Sequence, residues 1–101
     1  MRVMVLFDLP MVSAEERRVY SKFRKYLLRN GFMMLQESVY CKMALNQTAA
    51  NSIMEGIRKN CPEDGIVQML SITEKQYSKM EYVCGEVKKK VLDTDERLVI
   101  L

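Results

Sequence analysis

Asp8 is the residue of this 101-residue chain best placed by type and context to do chemistry. It ends the apolar run RVMVLFD, just ahead of Leu9-Pro10. A carboxylate at such a strand end has two uses: it can accept hydrogen bonds from turn amides, or it can bind a divalent cation. Hydrolytic metal sites gather several carboxylates, whereas the next acids, Glu15 and Glu16, belong to a predicted helix cap. One chain therefore offers one ligand, and a two-fold dimer that paired two copies of Asp8 would offer two for a single Mg2+. The chain has no histidine, which excludes Ser-His-Asp and Cys-His nucleophile activation and every His-containing zinc site. Cys41, Cys61 and Cys84 lie 20 and 23 residues apart, too widely spaced for a zinc knuckle or redox pair, and they read as small buried hydrophobes in a reducing compartment.

The second candidate is a row of cations. Residues 13–30 carry Arg17, Arg18, Lys22, Arg24, Lys25 and Arg29 against Glu15 and Glu16, a local charge of +4 in a chain of net +3, so the remainder sums to −1. Arg18, Lys22, Lys25 and Arg29 follow i, i+4, i+7, i+11 spacing, which on a helix sets them within roughly 60° of one another over about 16 Å of axis. Like charges so spaced cost a few tenths of a kcal/mol per pair, a cost offset when an anion lies along the row. Neighbouring phosphates of a nucleic acid match it, and so does plain solvent, in which the row would only confer solubility. Glu37 and Ser38 read as turn residues, Tyr40 as a packing aromatic, and Lys88-Lys89-Lys90 as a solvated run that could track phosphates.

Elements must position these groups. Residues 2–9 are apolar on both alternating sets, the pattern of a central strand buried on both faces, and Pro10 ends it. Ser13-Ala14-Glu15-Glu16 has the capping-box form and opens a helix to about Asn30, closed by Gly31, with Val19, Tyr20, Phe23, Tyr26 and Leu27 as its apolar stripe. Residues 32–45 suit two short strands broken around Gln36 to Ser38, residues 46–60 a second helix ended before Pro62, and residues 65–73 a further strand. The order β-α-β-β-α-β predicts an α+β, ferredoxin-like antiparallel sheet with both helices on one side. Thr73 can cap a short turn over 74–80, residues 86–96 form a charged connector, and residues 97–101 (RLVIL) form an extra strand in need of a sheet edge.

Length and composition bound the rest. About a hundred residues, 49% of them hydrophobic, make one small domain that oligomerisation would help. The longest apolar stretch, Val3 to Phe7, is far short of the roughly 20 residues that a bilayer requires, so a soluble, cytoplasmic protein without membrane contact is expected.

Phe7-Asp8 with Pro10, the helix EERRVYSKFRKYLLRNGF, LQESVYCKM and SITEKQYSKM, in that order and spacing, resemble the small CRISPR-associated adaptation protein, second of the two core spacer-acquisition proteins. The likeness covers residues 2–82 and 97–101, and its helix and last two segments look most like the version from systems with a single large effector nuclease. The resemblance implies a homodimer in which residues 97–101 of each protomer join the partner's sheet. It implies a partnership with the large adaptation integrase, the dimer sitting between two integrase dimers and supporting duplex pre-spacer DNA. It also implies that Asp8 is the metal-ligating, catalytic residue of a Mg2+-dependent phosphodiesterase acting on RNA or DNA, and it matches Arg17 and Arg18 to basic positions of the first helix. Lys22, Lys25 and Arg29 join the nucleic-acid-binding set from the row itself.

Overall fold

The computed structural model describes residues 1–85. Its elements are β1 (Arg2–Asp8), α1 (Ala14–Arg29), β2 (Met33–Gln36), β3 (Val39–Met43), α2 (Gln47–Asn60), β4 (Ile66–Ile72) and α3 (Glu74–Ser78). The strands form one antiparallel sheet in the order β2-β3-β1-β4, the ferredoxin-like arrangement. The charged connector and the extra strand expected over 86–101, Lys88 to Lys90 among them, lie outside the described residues.

Local chemistry sets the boundaries. The Ser13 side chain accepts from the Glu16 amide while Glu16 accepts from the Ser13 and Val12 amides, so α1 begins with a complete capping box. Those backbone hydrogen bonds, the one from Ser13 foremost, hold the Glu16 carboxyl below its usual range. Gly31, at φ +87°, closes the helix in the left-handed region. Asn46 caps α2, and Thr73 with Gln76 forms a second capping box on α3. Between β2 and β3 the register shifts from Met34 to Gln36, and the Glu37-Ser38 turn is tied down by a bond from the Phe7 amide to the Ser38 carbonyl (3.0 Å).

The core lies between the sheet and the two long helices, where Val3, Val5, Phe7 and Tyr40 pack with Phe23, Leu27, Ala50 and Ile57. Phe7 is its aromatic centre, edge-on to Phe23 (5.3 Å between centroids) and Tyr20 (5.8 Å) and stacked on Tyr40 (5.6 Å). Tyr40 is thus a packing residue. The expectation of a strand buried on both faces needs correction: Val3, Val5 and Phe7 are buried, whereas Arg2, Met4 and Leu6 are half-buried and Asp8 is exposed. Both long helices cover the same face, and the other is largely open among the described residues. The cysteines also divide. Cys41 is buried as expected, but Cys61 caps the C-terminus of α2 with its thiol on the Arg58 carbonyl, and Cys84 follows α3; both are exposed.

Gly65 fixes the end of β1. It sits at φ +90°, and a Cβ there would lie 2.8 Å from the Asp8 carbonyl oxygen and 2.7 Å from Leu9 Cδ2. Backbone cannot yield as a side-chain tip can, so Gly65→Ala is expected to combine left-handed strain with overpacking, about 2–4 kcal/mol together. A thermal melt should show the midpoint falling by roughly 10–20 °C. An unchanged melting curve would mean that the approach of Gly65 to Asp8 is not a constraint.

Candidate functional site

Antiparallel register places directly opposed residues on one face, so the open face can be read row by row. Starting from the N-terminal end of β1, the rows are Met43-Arg2-Ile72, Cys41-Met4-Leu70 and Val39-Leu6-Gln68, and the last is Asp8 opposite Ile66 on β4. Met33, opposite Cys41, extends the second row onto β2. Met33, Met43, Ile66 and Leu70 are each 46–63% exposed. Asp8 is therefore the acidic end of an apolar surface, a location that alternation along the strand gives and composition does not. Among the described residues its carboxylate makes no hydrogen bond or ion pair, so it does not bond turn amides as one reading of the sequence has it. Nor do the described residues hold any group of three or more His, Cys, Asp or Glu side chains placed for a metal.

The basic row lies in the other layer, on α1, and the structure does not bring it together with Asp8. Phe23 and Leu27 turn inward while Arg18, Lys22, Lys25 and Arg29 are exposed and Arg24 is half-buried. The cations are not equivalent. Arg17 donates to the carbonyls of Met11 (3.3 Å) and Val12 (2.7 Å), bracing the β1-α1 loop, and Arg18 pairs with Glu15 one turn earlier. Lys22, Lys25 and Arg29 have no acidic partner among the described residues.

A cleft of about 390 Å3 opens between the start of α1 and the α2-β4 loop, lined by the apolar Leu9, Val19 and Phe23, by Glu15, Glu16, Glu63 and Asp64, and by Lys22, which shares it with these four carboxylates. Asp8 does not line it. No helix among the described residues is long and apolar enough to cross a membrane.

Sequence reasoning missed Arg2. Its guanidinium lies 3.9 Å from the centre of the Tyr77 ring, 2.9 Å from the Glu74 carboxylate and 3.8 Å from Cys41 Sγ. The bond to Glu74 raises the Arg2 pKa above its ordinary value. The one available signal was an arginine opening an otherwise apolar strand.

Comparison with known proteins bears on all of this geometry. Residues 1–80 match the family model described as CRISPR associated protein Cas2. A protein of Treponema denticola is 55% identical over all 101 residues, covering the whole of both chains. Relatives from Streptococcus mutans and Ligilactobacillus salivarius are each 44% identical over 101 residues, covering 93% and 100% of their own lengths. All three are called "CRISPR-associated endoribonuclease Cas2". With the ferredoxin-like sheet and the aspartate at the end of its first strand already established, end-to-end matches of this kind leave one assignment: the chain belongs to the Cas2 family of CRISPR-associated proteins.

Proposed function

We propose that this chain is the DNA-binding subunit of CRISPR spacer acquisition, a homodimer that supports duplex pre-spacer DNA between two dimers of the large adaptation integrase. The observation that carries the proposal is the set Lys22, Lys25 and Arg29, exposed on one helix without acidic partners among the described residues. Holding a duplex of any sequence needs phosphate contacts and no base readout. The open apolar face supports the homodimer, because contiguous exposed apolar surface on a single chain signals a missing cover. In the test, the chain and the integrase are purified together with duplexes of unrelated sequence at rising salt. Retention should be alike for all sequences and should fall steeply with salt, and an integrase that captures duplex equally well without this chain would refute the proposal.

The names of the relatives and the exposure of Asp8 favour a second reading, that of a metal-dependent endonuclease of RNA or DNA. Among the described residues of one protomer no group of three or more ligating side chains forms for a Mg2+ ion; the residues that would hold the ion are the two copies of Asp8 in a dimer. Held there, Mg2+ would polarise a phosphodiester and acidify a bound water. What the chain itself contributes is an exposed carboxylate at the end of β1, without a hydrogen-bond or ion-pair partner among the described residues. Asp8→Asn is expected to reduce cleavage to background while the melting midpoint moves by no more than roughly 2–4 °C, as for a surface substitution of about 0.5 kcal/mol. Cleavage that survives the substitution would remove Asp8 from the chemistry.

A further inference from the structure

The short helix α3 has no buried residue, yet two of its side chains, Glu74 and Tyr77, hold Arg2 of β1. Register explains where: Arg2 and Cys41 both belong to the open face, in the first and second rows from the N-terminal end of β1. Ile72 is the β4 partner of Arg2 and Glu74 follows it by two residues, so α3 begins at that end of the face, where its Glu74 and Tyr77 hold the Arg2 guanidinium. The contact is well made. Arg2 presents its flat cation to the Tyr77 ring, its Nε to Glu74 and an Nη to the Cys41 sulfur, and its side chain is only 16% exposed. A guanidinium stacked on an aromatic and bonded in its own plane to a carboxylate uses both of its binding modes at once. The other two ion pairs among the described residues join side chains three apart on one helix, whereas this one spans 72 residues. Cys41 is the most deeply buried residue of the open face, at 1% exposure, while Met43 and Met33 beside it remain open.

We infer that Arg2, Glu74 and Tyr77 form a latch that docks α3 across the Arg2 end of the open face and thereby positions the chain leaving α3 for engagement with a second copy. This rests on the homodimer proposed above. Arg2 is a positioning residue, since it acts through α3. The latch gives the face two different ends, with α3 over the Arg2 row and the Asp8 row free of it.

The test uses the full chain carrying Arg2→Met, which keeps the aliphatic length but neither the ion pair nor the stacking, and independently Tyr77→Ala. Amide hydrogen exchange is read by peptide, and the dimer dissociation constant by sedimentation. Both variants are expected to speed exchange over residues 73–80 at least tenfold while exchange over α1 stays unchanged, and to weaken the dimer about tenfold. A merely structural loss would speed exchange in α1 as well. Unchanged exchange over 73–80, or faster exchange throughout, overturns the latch. Faster exchange there with an unaltered dissociation constant overturns its positioning role. A parent chain that stays monomeric refutes the homodimer reading and the positioning role with it, and exchange alone then decides whether the latch exists.

Discussion

Exchanging Lys22 and Lys25 for glutamate in both protomers is expected to weaken duplex binding by roughly a hundredfold or more at about 50 mM salt, equally for all sequences. The size follows from counterion release. A dimer whose Lys22, Lys25 and Arg29 each meet a phosphate makes six contacts, so its affinity should fall with a log-log salt slope of about −5 and lose about a thousandfold between 50 and 200 mM. The double exchange leaves two contacts and a slope of about −2. Arg17 and Arg18 should matter less, the first because its guanidinium already serves the Met11 and Val12 carbonyls, the second because Glu15 partly neutralises it. The fold should survive, since both lysines are exposed and neither makes an ion pair among the described residues, with the larger cost at Lys22, which shares its cleft with Glu15, Glu16, Glu63 and Asp64. Mobility-shift titrations across the salt range measure slope and affinity together, and a variant with the parent's slope would place the phosphate contacts elsewhere.

The features legible in the sequence are those whose causes are local. Ser13 with Glu16, Asn46 and Thr73 each satisfy helix amides a few residues away, and Gly31 and Pro62 act at their own positions, so boundaries came within a residue or two of the expected places. From the β-α-β-β-α-β order, chirality of the crossovers then places both helices on one side of the sheet. The two-sided burial expected of β1 fails for a physical reason: Met4 and Leu6 are apolar, but neither long helix covers their face, and apolar type alone does not say on which side a helix packs. Cys61 was misread because a thiol that caps α2 and one that fills a core look alike in a sequence. The Arg2 contact joins residues 72 positions apart and had no local signature. Asp8 stands out in the sequence as an odd charge among apolar neighbours, but that it lies at the edge of an apolar face and against Gly65 depends on the register with β4.

Leu70→Asp is expected to abolish the dimer while leaving the single chain folded. Leu70 stands on the open face opposite Met4, in the row that also holds Cys41, and it is already 46% exposed, so a carboxylate there can stay hydrated in one protomer. Closing that face against a second copy would strip water from two carboxylates with no cation opposed to them in the row. Even a few kcal/mol of penalty for such burial is decisive: roughly 4 kcal/mol, about 2 from each copy, raises the dissociation constant about a thousandfold. Gln68→Asp, one row nearer Asp8 and already polar, should cost less, so the ratio of the two effects reports how far the interface extends toward the Asp8 end. Sedimentation equilibrium gives both constants, and a melt at concentrations where the parent is monomeric checks the fold. If Leu70→Asp dimerises as the parent does, the open face is not the interface and two copies of Asp8 are not brought together by it. The nuclease reading then loses its second carboxylate, while binding of duplex DNA along the two α1 rows, in a dimer formed through another surface, still stands.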